Sequence, residues 1–199
     1  MSIKISAVIC THNRAAYLRK SLQSLVEQTI DQELYEIIVV DNGSQDETKQ
    51  VVDQYSGIPN LRYLYEPVIG LSRARNRAWS NARGTYVAFL DDDAVACSGW
   101  VATFLDVFES FKPMPGAVGG KCEAIWEAPR PNWLSDKLLG YISILHWSEV
   151  PIVLDDWQGL SACNIAYPRE VLKAAGGFRE DLGRKGNTLR AGGETYLVP

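Results

Sequence analysis

The sequence predicts a three-layer α/β fold around a parallel sheet. Two observations carry that prediction and a third bounds it. Short, β-branched apolar runs alternate with segments whose apolar residues recur at helical spacing, the pattern of strands joined by covering helices. Three of the runs end in polar clusters, Thr11-His12-Asn13-Arg14, Asp41-Asn42-Gly43-Ser44 and Asp91-Asp92-Asp93, at the strand ends where open α/β sheets bind ligands. With 199 residues, 46% hydrophobic and 22% charged, the chain is long enough for one domain with a substantial core.

The elements follow in order. Ile3 to Cys10 reads as a buried strand. Asn13 is the expected cap of a helix from about Arg14 to Gln28, with Tyr17, Leu18, Leu22, Leu25 and Val26 on its apolar face. Glu36 to Val40 is a second buried strand, and Ser44-Gln45-Asp46-Glu47 has the form of a capping box opening the next helix. Leu61 to Tyr65 is a third strand. Gly70 to Ala82 is a third helix, with Gly84 as a candidate C-cap. Tyr86 to Leu90 is a fourth strand, running straight into the three aspartates. A helix from Ser98 to about Phe111 presents Trp100, Val101, Phe104, Leu105 and Phe108 on one face. The character changes after Pro113-Met114-Pro115-Gly116. Four of the six tryptophans, Trp126, Trp133, Trp147 and Trp157, fall in the next stretch and are expected in the core, the alternative being a platform for sugar rings or an acyl chain. His146 is expected to be structural. No linker or internal repeat divides the chain, so residues 1–199 read as a single domain.

Several function classes are excluded. A net charge of −4, with lysines and arginines scattered, offers no basic surface for nucleic acid. No GxGxxG follows the first strand and no GxxxxGK[ST] occurs, so neither a dinucleotide site nor a Walker A loop is present. The four cysteines, Cys10, Cys97, Cys122 and Cys163, lie far apart in sequence and are expected as reduced core or near-core thiols. The chain opens as a strand rather than a signal peptide, and no apolar run approaches a membrane span, so a cytoplasmic protein is expected. Peripheral association with the inner face of the membrane through an amphipathic surface stays open.

Asp91-Asp92-Asp93 organises the rest. Adjacent carboxylates repel one another unless a cation or strong donors neutralise them. Magnesium or manganese is the natural partner, held by one or two carboxylates and completed by phosphate oxygens and water. Arg75 is a second candidate. On the third helix Leu71, Ala74, Ala78 and Ala82 form the apolar stripe, and at about 100° per residue Arg75 falls inside that arc. An inward arginine needs an anionic partner, which the aspartates or a diphosphate would supply. Arg73 and Arg77 point away and are expected on the solvated surface.

These motifs, in this order and spacing, resemble the family 2 glycosyltransferases. The resemblance rests on Val8 to Arg14, Val39 to Ser44, Gly70 to Asn76 and Phe89 to Asp93, with Gly176-Gly177-Phe178-Arg179-Glu180-Asp181-Leu182-Gly183 later, and covers nearly the whole chain. It implies a GT-A fold with a mostly parallel central sheet, a nucleoside-diphosphate sugar donor (a UDP-sugar expected first), a divalent metal, and inversion at the anomeric carbon. It implies a glycan or lipid-linked glycan acceptor in cell-surface or extracellular polysaccharide synthesis. By the same resemblance Thr11 and Asp41 line the base and ribose, Asp91 and Asp93 are the two acids of a DxD motif, with Asp93 ahead as metal ligand, and Asp92 reaches toward the ribose. Asn13, Arg14, Asn42 and Ser44 are expected neighbours of the donor, with capping and turn chemistry as their alternative reading. Residues 1–115 would form the nucleotide-sugar-binding half and 116–199 the acceptor-binding half. Family members continue well past the catalytic acid, so this chain is expected to be C-terminally incomplete.

An inverting transfer also needs a carboxylate to take the acceptor proton. The second half offers Glu123, Glu127, Asp136, Glu149, Asp155, Asp156, Glu170, Glu180, Asp181 and Glu194. Glu194 follows Gly192-Gly193, and the resemblance aligns it with the last acid of a glycine-and-acid motif, so it is the expected base, with Asp181 and Glu180 next. Two rivals remain. A sugar-1-phosphate nucleotidyltransferase would want a glycine-rich basic loop where Thr11 to Tyr17 has no glycine. A non-catalytic nucleotide-sugar-binding module would bind without turnover.

Overall fold

The computed structural model describes residues 2–185 and 188–190. In chain order the first half comprises β1 (Ile5–Thr11), α1 (Ala15–Val26), β2 (Tyr35–Asp41), α2 (Thr48–Asp53), β3 (Leu61–Tyr65), α3 (Leu71–Asn81), β4 (Tyr86–Asp91) and α4 (Trp100–Ser110). The second half adds β5 (Val118–Gly119), a 3-10 helix at Asp136–Ile142, β6 (Asn164–Pro168), α5 (Arg169–Ala174), β7 (Gly183–Lys185) and β8 (Thr188–Arg190). The main sheet has the order β3-β2-β1-β4-β6-β5, and β7 and β8 pair separately. β1 lies parallel to both β2 and β4, and β3 parallel to β2, whereas β6 runs antiparallel to β4 and β5 antiparallel to β6. The expected parallel sheet therefore holds for the first four strands, and the second half adds an antiparallel edge.

The strand order reverses at β1. From there the chain winds outward through β2 and β3, then returns to place β4 on the other flank. Such a switch point opens a crevice between the carboxyl ends of the two flanking strands. Here those ends are Thr11 and Asp91.

Strand alternation sorts the core onto two faces. Ile5, Ala7 and Ile9 pack with Leu18, Leu22 and Leu25 of α1, Val51 and Val52 of α2, and Val101, Phe104, Leu105 and Phe108 of α4. Val8, Ile38, Val40, Val87 and Phe89 face Ala74 and Ala78 of α3, Leu172 of α5, and Phe178. These are the three layers. Tyr17, expected on the buried face of α1, is exposed and lies against the Arg14 guanidinium. Gly84 does not cap α3, which ends at Asn81 and is followed by Ala82 in extended backbone. Its lack of a side chain answers a close approach instead: a Cβ there would lie 2.7 Å from the Ile5 carbonyl carbon and the Ser6 nitrogen.

The tryptophans overturn an expectation. Trp126, Trp133, Trp147 and Trp157 are all exposed, Trp133 and Trp157 by about three quarters (75% and 74%). The main sheet's core is already filled by the residues above. Trp147 and Trp157 meet edge to face, and His146 is exposed beside Glu149. Among the described residues no helix is long and apolar enough to cross a membrane.

Candidate functional site

The three aspartates leave β4 in three different environments. Asp92 turns inward and is buried. The Thr11 hydroxyl donates to its Oδ2 at 2.8 Å, and Arg14, at the start of α1, lies 3.2 Å from its Oδ1. The other Arg14 nitrogen reaches Asp93 Oδ2 at 2.7 Å. The side chains of Asp91 and Asp93 remain 42% and 45% exposed, so both carboxylates can meet a ligand in the crevice. The Ser21 hydroxyl donates to the Asp91 carbonyl at 3.1 Å, tying the end of β4 to α1.

Arg75 points inward, as the helical arc requires. Its side chain is 3% exposed, and Nη2 donates to Asp91 Oδ1 at 3.4 Å and to the Ala162 carbonyl at 3.3 Å. The guanidinium carbon sits 5.6 Å from the Phe89 ring centre and 5.7 Å from that of Phe178, and the two rings meet edge to face. Two π faces and a carboxylate thus hold a charge that burial alone would expel. Arg77 is exposed as expected, but Arg73 is not simply solvated: it pairs with Glu180 at 2.5 Å. Asn76 clasps the backbone of Phe178, donating to its carbonyl at 2.9 Å and accepting from its N–H at 2.8 Å. Gly177 has φ +80°, and a Cβ there would lie 2.6 Å from the Asn76 oxygen, so the glycine is required both by conformation and by contact. The Gly-Gly-Phe stretch was visible in sequence, but its partner on α3 was not.

The other predicted residues knit the crevice wall. Asp41 is buried, with Oδ1 accepting from Ser44 N at 2.8 Å and Oδ2 from the Tyr63 hydroxyl at 2.7 Å. Asn42 donates to the carbonyls of Glu66 and Val68 and accepts from Gly70 N, which fixes the loop into α3. Asn13 is not the cap of α1. It adopts φ +54°, and its Oδ1 accepts from Gln45 N at 2.7 Å. Ser44 is not the cap of α2 either, since its hydroxyl accepts from Asn13 N at 2.9 Å. Asp46 takes over both duties: it accepts from Ala15 N at 3.0 Å and, with its other oxygen, from Thr48 N at 3.0 Å. Tyr63 and Asp46 are therefore supports of the crevice wall that the sequence does not single out. Glu194 lies outside the described residues.

Burial pushes the Asp92 carboxyl up to about 6, against the opposing pull of Thr11 and Arg14. Asp92 thus holds its proton more tightly in the folded than in the unfolded state. Between about pH 4 and pH 6 the folded state binds more protons, so stability falls as pH rises through that window, by roughly 2–3 kcal/mol for a shift of this size. Asp92→Asn should flatten this slope. Urea unfolding of both proteins across the window tests it, and parallel curves would remove Asp92 as the cause.

Among the described residues, no three His, Cys, Asp or Glu side chains converge as a ready-made metal cage. Two accessible carboxylates, Asp91 and Asp93, fit the other kind of site, in which a hard divalent cation takes one or two carboxylates and completes its shell with phosphate and water.

The chain matches glycosyl transferase family 2 over residues 6–174. It is 27% identical, over 194 residues, to a glucosyl-dolichyl phosphate glucuronosyltransferase of Haloferax volcanii, covering 93% of this chain and 59% of that protein. Its fold is similar to TarS residues 1–349 of S. aureus, with TM-score 0.72, 23% identity, and coverage of 97% of this chain and 53% of that one. A mannosyltransferase from Pyrobaculum calidifontis, solved in complex with GDP-Man and Mn2+, aligns with TM-score 0.68 and 23% identity over 93% of this chain and 50% of that one. The chain therefore spans little more than half the length of these relatives.

Proposed function

This chain belongs to glycosyl transferase family 2 and has its GT-A fold, and from that premise we propose that it is a metal-dependent, inverting glycosyltransferase domain. The substrate would be a nucleoside-diphosphate sugar, the acceptor a hydroxyl of a glycan or lipid-linked glycan, and the setting cell-surface or extracellular polysaccharide synthesis on the cytoplasmic side of the membrane. One observation carries the reading: two accessible carboxylates and one enclosed arginine meet at the switch point between β1 and β4. The manganese and GDP-Man in the Pyrobaculum mannosyltransferase support a metal and a sugar nucleotide.

In this reading Asp93 and Asp91 hold magnesium or manganese, which offsets the charge of the departing diphosphate. Arg75 keeps Asp91 aimed into the crevice. Thr11 and Asp41 line the base and ribose. Asn13, Asn42 and Ser44 hold the loop around them, and Asp92 fixes Thr11 and Arg14. Arg14 neutralises Asp92 and Asp93 until the cation arrives, so metal binding and release of Asp93 by Arg14 go together. Residues 1–115 would supply the donor half and 116–199 the acceptor half, with Glu194 as the base that takes the acceptor proton.

Thermal unfolding with a panel of nucleoside diphosphates, with and without manganese, tests the reading. A bound nucleotide at a hundredfold excess over its Kd should add about 2.7 kcal/mol to stability. The manganese-dependent part should vanish in Asp93→Ala and survive in Asp92→Ala. Asp93→Ala that keeps wild-type affinity and metal response would refute the metal assignment. Metal-dependent binding with no sugar transfer or hydrolysis in the whole protein would favour a binding module over an enzyme.

A further inference from the structure

Cys122 and Cys163 stand 41 residues apart in sequence, yet their sulfurs lie 3.6 Å from one another. Both are free and partly buried. Cys122 lies just beyond β5, and Cys163 precedes β6. Asn164 locks these segments together: its side chain donates to the Lys121 carbonyl at 3.0 Å, and its own carbonyl accepts from Gly120 N at 3.3 Å. The Ser161 hydroxyl lies 3.1 Å from the Cys163 sulfur. The pair is therefore held sulfur to sulfur by backbone contacts on both sides, rather than meeting through two flexible loops.

The thiols also touch the crevice through their peptides. Asp91 N donates to the Cys163 carbonyl at 3.3 Å, and Arg75 donates to the adjacent Ala162 carbonyl at 3.3 Å. Both bonds are near the long limit for N–H···O geometry. Any shift of residues 162–163 is felt by the Asp91 backbone and the Arg75 side chain.

We propose that Cys122 and Cys163 form a modification site, a thiol pair that hydroperoxides oxidise to an intramolecular disulfide and dithiols reopen. The sulfurs share one hydrogen bond that either can donate, so whichever loses its proton is held as a thiolate by the other, and the chemistry is the same from either side; Cys122 is taken first. The Cys122 thiolate attacks one peroxide oxygen, the O–O bond breaks, and hydroxide leaves with the electron pair. The resulting sulfenic acid is attacked by the Cys163 sulfur. The S–S bond forms, the S–O bond breaks, and the Cys163 proton leaves with that oxygen as water. The net change removes two hydrogens from the protein and reduces one hydrogen peroxide to two waters. A dithiol restores both thiols by exchange and becomes a disulfide itself. Closure brings the sulfurs from 3.6 Å to about 2.0 Å. That movement draws on the 162–163 peptide and breaks the Asp91 N–H bond to it.

The test uses the full chain and one equivalent of hydrogen peroxide. Two of the four thiols should disappear, with the mass falling by two hydrogens. Peptide mapping should find Cys122 joined to Cys163, and dithiothreitol should reverse it. Cys122→Ser and Cys163→Ser should each block the crosslink, while the wild-type map decides the matter if either variant folds poorly. Four thiols still open to maleimide after peroxide, or a crosslink through Cys97 in its place, overturns the proposal. Hydrogen exchange at the Asp91 amide should be several-fold faster in the crosslinked form, and unchanged exchange overturns the link to the crevice. Neither readout depends on sugar transfer, so this inference and the proposed function fail separately.

Discussion

Arg75→Ala is expected to lose roughly 10- to 100-fold in manganese-dependent affinity for a nucleoside diphosphate, the usual cost of removing the partner that orients a metal-binding carboxylate. Its guanidinium is almost wholly enclosed, so in the proposed site it would act on a ligand through Asp91, not by projecting into solvent. The loss should therefore fall on the metal-dependent part of binding and leave the weaker metal-free part nearly unchanged. The fold should suffer too. The substitution removes a buried charge from between Phe89 and Phe178 and leaves the Ala162 carbonyl short of a donor. Asp91 keeps access to water, so the penalty stays below that of orphaning a fully buried ion, and about 2–4 kcal/mol is expected in urea unfolding. Arg75→Lys keeps the charge but not the planar stack and should fall between the two. Arg77→Ala should change little. Arg73→Ala loses only a half-exposed pair with Glu180, for which about 0.5 kcal/mol is the ordinary scale. Equal and small effects at positions 73, 75 and 77 would defeat the inward-facing account. An equal loss with and without manganese would instead put Arg75 on the diphosphate itself.

Arg75 also marks how far sequence reasoning reached. Its orientation follows from helical geometry and a stripe of alanines, both local properties, and the strands of the first half were legible for the same reason. Asn13 and Ser44 part from the expected caps because their partners lie about 31 residues away across two loops, so an apparent capping pattern is outvoted by a tertiary hydrogen bond. Gly84 looked like a helix terminator, but the backbone of β1 decides it. The direction of β6 is a matter of non-local register that no periodicity encodes. The tryptophans failed differently. Aromatic residues are common in cores, yet the proline-broken segment between β5 and β6, at the sheet's edge, leaves these four exposed. The proximity of Cys122 to Cys163 depends on the antiparallel pairing of β5 with β6, which spacing in the sequence does not reveal.

Glu194→Gln is expected to lower sugar transfer by roughly 10²–10⁴-fold, the scale of general-base catalysis, while metal and donor binding persist. Glu180 is held by Arg73 and Asn76, and Asp181 by Arg179, so the two nearest rivals are engaged at the surface beside α3. Glu123, Asp136 and Glu149 pair with Lys121, Arg130 and His146. Asp91, Asp92 and Asp93 sit on the leaving-group side in the proposed arrangement and cannot also deprotonate an acceptor on the opposite face. The described end of the chain touches the start of α3. The Ser72 hydroxyl, at the start of α3, donates to the Leu182 carbonyl at 3.4 Å, and β7 follows at once. The start of α3 lies at the same end of the sheet as the carboxyl ends of β1 and β4. Glu194 stands four positions after Arg190 at the end of β8, a span of at most about 14 Å. In the sequence Gly192-Gly193 stand just before it, and glycine permits dihedrals and close approaches that other residues do not. The measurement is a transfer assay on the longest natural form of the protein, alongside calorimetry for the donor and Asp181→Asn as comparison. Loss of transfer with intact donor binding in Glu194→Gln, and near-normal transfer in Asp181→Asn, is the expected pair of results. The reverse pair would move the base to Asp181. Loss of donor binding in Glu194→Gln would make Glu194 part of the donor site instead.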